Sequence, residues 1–149
     1  MIVVGVDGSE GSVKALRIAL EEARLRGSEL KVVNTWHISP MAYGSGWAPA
    51  PIDLQEYESS ARAALDESLE KAGAAGSGVS VTPLVREGQP AEVLCAEARA
   101  ADLLVVGSRG LGGFRGLLLG SVSHQCALHA PCPLLIVPNR TDGDEAGEK

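Results

Sequence analysis

Aromatic side chains are scarce: one Phe, two Trp and two Tyr in 149 residues, 3% of the chain. A core with so few rings must be aliphatic, which favours helices layered on a sheet over an aromatic-rich sandwich. It also leaves no stacking platform for nucleic-acid bases. Positive charge is short as well. Thirteen Lys and Arg against nineteen Asp and Glu give a net charge of −6, so phosphate backbones are repelled and nucleic-acid binding is disfavoured. No apolar run reaches the roughly 18 residues of a membrane-spanning helix. The opening Met1-Ile2-Val3-Val4-Gly5-Val6-Asp7 has neither a basic start nor a cleavage site and does not read as a secretion signal. A cytoplasmic location without membrane association is expected.

Cysteines are few, Cys95, Cys126 and Cys132, and an odd count reads as reduced thiols rather than a disulfide framework. Cys126-x2-His129-x2-Cys132, with His124 upstream, superficially has metal-ligand spacing. Pro131 and Pro133 break it: Cys126 and His129 can share a helix face, but Cys132 then enters a new strand. Buried thiols and surface imidazoles are favoured over a zinc site.

What is present is patterned aliphatic sequence, 45% hydrophobic and 21% charged, long enough for one domain with its own core. Ile2 to Val6 is a continuous apolar run, as in a strand buried on both faces of a parallel sheet. Asp7-Gly8-Ser9 breaks it, and Ser9 or Ser12 can cap a helix to about Arg26 that buries Val13, Leu16, Leu20 and Ala23. Gly27 stops that helix, and Leu30 to Trp36 is the second strand. Residues 37–52 form an irregular loop rich in Pro and Gly. A second helix spans Asp53 to Ala74 with Leu54, Tyr57, Ala61, Ala64, Leu65 and Leu69 as its buried stripe.

Val79 to Val85 is a third strand in which Pro83 suits an outer position. Pro90 opens a helix to about Ala100, Asp102 to Gly107 is strand four, a helix begins at Ser121, and Pro133 to Val137 is strand five. The alternation predicts an α/β fold: a doubly wound, five-stranded, mainly parallel sheet with helices on both faces, Rossmann-like in outline. The domain is expected over residues 1–138, with 139–149 a disordered tail.

The chemistry concentrates after strand four. Residues 107–121 read Gly-Ser-Arg-Gly-Leu-Gly-Gly-Phe-Arg-Gly-Leu-Leu-Leu-Gly-Ser, a Gly-x2-Gly-x9-Gly-Ser arrangement of Gly107, Gly110, Gly120 and Ser121. Glycines let backbone N–H groups approach an anion, and a helix N-terminus adds unpaired donors and partial positive charge. Arg109 and Arg115 either contact phosphates or are simply solvated. Valine at Gly110 or Gly120 is expected to block phosphates while leaving the fold intact. Neither a lysine-bearing phosphate loop nor Gly-x-Gly-x2-Gly is present; nor is a Gly-x-Ser-x-Gly elbow. Asp7 ends the first strand, where its carboxylate either meets a nucleoside or serves the turn and helix cap.

Val6-Asp7-Gly8-Ser9, the loop from Gly107 to Ser121, and Ala130-Pro131-Cys132-Pro133-Leu134-Leu135-Ile136-Val137-Pro138 together resemble the universal stress protein family, in its ATP-binding branch. The resemblance spans residues 1–138. It implies an adenine nucleotide alpha hydrolase-like fold and a cytoplasmic homodimer that binds ATP, with Mg2+, and acts in stress tolerance through an unidentified protein partner. By position, Asp7 meets adenosine and the Thr35 backbone borders adenine, while Gly107, Gly110, Gly120, Ser121 and the Val122 backbone hold ribose and phosphates. Ser121 also caps the fourth helix. The strand Leu134 to Val137 is implied as the dimer contact, and an open apolar edge strand does invite pairing.

With no lysine and no acid pair beside the loop, binding with slow or no hydrolysis is expected. The alternatives are an enzyme, either a slow ATPase or a nucleotidyl-transfer catalyst, and a dimeric interaction or chaperone-like module whose loop is unused.

Overall fold

A computed structural model describes residues 1–38, 53–111 and 118–139. Most of the loop read at 37–52, together with Arg115, the centre of the glycine loop and all but the first residue of the tail, lies outside them.

Five strands form one sheet: β1 (Ile2–Gly5), β2 (Leu30–Trp36), β3 (Val81–Glu87), β4 (Leu103–Gly107) and β5 (Leu134–Val137). Their order is β3-β2-β1-β4-β5. Every neighbouring pair is parallel, so the sheet is wholly rather than mainly parallel. In register, Val4 of β1 lies between Val32 and Val105. The runs of β1 and β4 are continuously apolar because both faces are covered. Ile2, Val4, Val32 and Val105 pack with Leu16, Leu20 and Leu65 on one side. Val3, Val33, Leu104 and Val106 pack with Ala91, Leu94 and Cys126 on the other.

The first face is covered by α1 (Glu10–Arg26) and α2 (Leu54–Ala72), the second by α3 (Pro90–Glu97) and α4 (Ser121–His129). Local chemistry sets the helix ends. Ser9, not Ser12, caps α1 by accepting from the Ser12 amide at 3.2 Å, and Gly27 ends it at φ 60°. Asp53 caps α2, and Gly73 ends it at φ 71°; a single 3-10 turn, Ala74–Gly76, follows. The left-handed conformation at both ends favours glycine.

The expected stripe of α2 is only half right. Ala61 and Leu65 are buried, but Leu54 is 49% and Tyr57 42% exposed. Spacing gives the face of a helix and not how far the sheet extends beneath it. Tyr57 meets Trp36, the last residue of β2, with ring centroids 6.3 Å apart, so the sheet ends at that level.

Strand β3 begins and ends two residues later than its alternation suggested, because pairing of Leu30 with Val81 through Trp36 with Glu87 sets its limits. It is an edge strand, which accommodates Pro83. Helix α3 stops at Glu97 rather than near Ala100. Glu97 there accepts from Lys31 Nζ at 2.8 Å and Arg86 Nε at 3.3 Å, tying α3 to β2 and β3. The Lys31 hydrogen bond, reinforced by Arg86, holds the Glu97 carboxyl below its ordinary value despite partial burial.

Candidate functional site

From β1 the chain winds outward through β2 and β3, then crosses back to β4 on the other side of β1. The crevice beyond the carboxyl ends of β1 and β4 is therefore the switch point where such sheets hold ligands. A cavity of about 660 Å³ lies there, and Asp7, Thr35, Gly107, Gly110, Gly120, Ser121 and Val122 all line it. Residues picked from four separate stretches of sequence are thus brought to one place.

Asp7 follows β1 and serves two loops at once. Its Oδ1 accepts from the Ser9 amide at 3.0 Å and the Ser9 hydroxyl at 2.5 Å. Its Oδ2 accepts from the Leu111 amide at 3.1 Å. The turn role considered for Asp7 is therefore real. It coexists with exposure to the cavity, and the same carboxylate pins the start of the glycine loop. A carboxylate has about four acceptor sites; three are used by these bonds.

The motif glycines make a neck. The Gly120 amide donates to the Ser108 carbonyl at 2.7 Å, closing the two ends of the loop on each other. A Cβ on Gly120 would lie 3.4 Å from Arg109 Cα, one on Gly107 would lie 3.1 Å from the Gly11 carbonyl oxygen, and one on Gly110 would overlap Asp7 Oδ2. A side chain at Gly110 would therefore meet the Asp7 carboxylate before it met any ligand.

Helix α4 opens onto the same cavity. Gly120 is its cap residue and offers no side chain, and Ser121 is the first helical residue rather than the cap. Among the described residues no side chain caps the first-turn amides, so the partial positive charge of that end meets the cavity wall at Ser121, Val122 and Ser123. Thr35 lines the cavity from β2, but its amide already donates to Asn34 Oδ1 at 2.8 Å.

Sequence reasoning passed over three supporting residues. Buried Asn34 donates to the Ala61 carbonyl at 2.8 Å and so fixes the end of β2 against α2. Buried Ser123 donates to the Ser108 and Gly120 carbonyls at 2.8 and 3.0 Å, orienting α4 under the neck. Ser108 Oγ accepts from the Asn139 amide at 3.2 Å. A polar residue inside an apolar strand was the available signal for Asn34; the two serines carried none beyond proximity to the motif. His37 and Arg109 also line the cavity, the latter as one of the two arginines considered for phosphate contact.

Among the described residues, no group of three or more His, Cys, Asp or Glu side chains is arranged to hold a metal ion. No helix there is long and apolar enough to cross a membrane.

A wholly parallel, doubly wound sheet with a cavity at its switch point, walled by a glycine loop and a helix N-terminus, defines the class of α/β proteins that seat small ligands on a strand edge. Within that class the model of the universal stress protein family matches residues 1–138, and the chain belongs to that family. A universal stress protein of Mycolicibacterium smegmatis is 38% identical over 143 residues, covering 93% of this chain and 46% of its own length. Universal stress protein YxiE of Bacillus subtilis is 33% identical over 145 residues, covering 91% of this chain and 97% of its own length. The chain spans about half the length of the mycobacterial relatives it matches, and nearly all of the Bacillus one. A solved universal stress protein in complex with cAMP superimposes with a TM-score of 0.69 at 27% identity, covering 91% of this chain and 94% of that one.

Proposed function

We propose that the switch-point cavity binds an adenine nucleotide, ATP with Mg2+, and that the protein acts as a nucleotide-dependent regulatory protein in stress tolerance. The observation that carries this reading is the convergence of Asp7, Thr35, Gly107, Gly110, Gly120, Ser121 and Val122 on one cavity under the uncapped start of α4. Asp7 takes the adenosine end, where its fourth acceptor site suits a ribose hydroxyl or the adenine amino group. The Thr35 backbone borders adenine. The glycine neck and the amides of Ser121 and Val122 meet ribose and phosphates. The complex of a structural relative with cAMP supports an adenine nucleotide as the ligand.

Magnesium would ride on the phosphates, since Asp7 is the one carboxylate among the described cavity residues and it is already committed to Ser9 and Leu111. Those residues also include no lysine and no acid pair to orient a nucleophile, which favours binding with slow or no hydrolysis. The apolar strand β5 has β4 as its one described neighbour and would pair with a second copy as a homodimer. A protein partner would read the bound state in the cytoplasm.

Calorimetric titration of nucleotide-stripped protein with magnesium ATP, followed by chromatography of the nucleotide, tests the reading. Saturable binding without turnover is expected. Steady ADP production would replace it with an ATPase, and no binding up to millimolar ATP would remove the nucleotide from the cavity.

A further inference from the structure

Strand β2 alternates its backbone hydrogen bonds between its two neighbours. The Leu30 amide and the Trp36 carbonyl bond toward β3, to Ser80 and Gly88 at 2.9 Å each, whereas the Val33 carbonyl accepts from Val6 at 2.9 Å on the β1 side. Thr35, two residues beyond Val33, therefore aims its amide and carbonyl at the β1 side as well. The register of β1 with β2 ends at Gly5 and Val33. Thr35 thus has no strand partner there, and its two backbone groups face the switch-point cavity that it lines. They are not equivalent. The amide donates to Asn34 Oδ1 at 2.8 Å, while Asn34 Nδ2 donates to the Ala61 carbonyl at 2.8 Å. A flipped side-chain amide would set donor against donor and acceptor against acceptor, so the two bonds fix each other. Asn34 is 5% exposed, and swinging it off the Thr35 amide would also break the bond to Ala61 and leave a buried amide unpaired.

We propose, resting on the reading of this cavity as an adenine-nucleotide site, that Asn34 sets how the base is recognised. By masking the Thr35 amide it leaves the Thr35 carbonyl, and not the amide, free to address the base edge. A carbonyl accepts and does not donate, so it takes a hydrogen from the exocyclic amino group. The ring nitrogen beside that group, N1 of adenine, is itself an acceptor and finds the Thr35 donor already committed to Asn34. Val33, Leu94 and Val106 give the same cavity its apolar wall, which suits the faces of a flat ring. The site therefore selects nucleotides by the amino group of the base and is indifferent to what stands at the N1 position. Asn34 acts through the Thr35 backbone, as a specificity-determining residue held in place by α2.

The test is calorimetric titration of the nucleotide-stripped full chain with the magnesium forms of ATP, 1-deaza-ATP and purine riboside triphosphate. The second has C–H in place of ring N1; the third keeps N1 and lacks the amino group. ATP and 1-deaza-ATP should bind within about threefold of each other, and purine riboside triphosphate at least about tenfold more weakly, through the loss of one hydrogen bond. Asn34→Ala should uncover the amide and make ATP at least about tenfold tighter than 1-deaza-ATP. A merely structural role for Asn34 would weaken both alike, and an unchanged ratio in that variant would overturn the proposal. So would a preference of about tenfold for ATP over 1-deaza-ATP in the parent protein, or equal binding of ATP and purine riboside triphosphate. The parent comparison stands even if the buried substitution prevents folding. Binding of none of the three would fail the nucleotide reading itself, whereas a wrong ratio among nucleotides that do bind fails only the masking by Asn34.

Discussion

Gly110→Ala puts a methyl group where Asp7 Oδ2 now stands. Among the described residues only Asp7 atoms lie within 4 Å of that position, the carboxylate oxygen in overlap and Cγ at 3.6 Å. The carboxylate must therefore turn away and release the Leu111 amide, now held at 3.1 Å. A hydrogen bond to a charged acceptor contributes about 1.5–3 kcal/mol; with part of the loop open to solvent, about 1–2 kcal/mol of destabilisation is expected. In a chain of this size that lowers Tm by about 2–8 °C.

The decisive assay is a double-mutant cycle with Asp7→Ala, followed by thermal denaturation. Once the carboxylate is gone the new methyl group meets open space, so Gly110→Ala should cost close to nothing in that background. The cycle should then show a coupling of about 1–2 kcal/mol. Additive losses would refute the claim that Gly110 is glycine because of Asp7, and would return the requirement to space for a ligand.

Asn34→Ala removes the partner of the Ala61 carbonyl and of the Thr35 amide at a buried site; urea denaturation should show a loss of about 1–3 kcal/mol. Ser123→Ala frees the end of α4 from the Ser108 and Gly120 carbonyls, costing about 1 kcal/mol in stability, and calorimetry should show weaker nucleotide binding with it. Because Glu97 has its folded pKa below the ordinary 4.5, its ion pairs stabilise the fold above that value, and the gain is lost as pH falls through the lower folded value. Glu97→Gln should therefore destabilise by about 0.5–1 kcal/mol near neutrality and converge with the parent protein in strong acid, as followed by denaturant titrations across pH. An unchanged difference between the two at pH 7 and in strong acid would remove the ion pairs as its cause.

Much of the fold was legible in the sequence because its signals are local. Continuous apolar runs at Ile2 to Val6 and Leu103 to Val106 mark strands covered on both faces. Ser9 and Gly27 set the ends of α1 through a hydrogen bond and backbone freedom, whereas α2, read to Ala74, stops at Ala72 before Gly73. The Gly107 to Ser121 spacing marked a candidate site by itself. Other features depend on contacts between distant residues, and no local pattern encodes those. The sheet order, and with it the switch point, arises from which strands pair. The exposure of Leu54 and Tyr57 follows from where β2 ends beneath α2. Asn34 matters because Ala61 comes within its reach from the next helix. A side chain at Gly110 would meet the carboxylate of Asp7, 103 residues earlier in the chain. Sequence determined which segments are strands, helices and loop; tertiary structure decided which residues meet, since packing brings side chains together at separations that periodicity does not record.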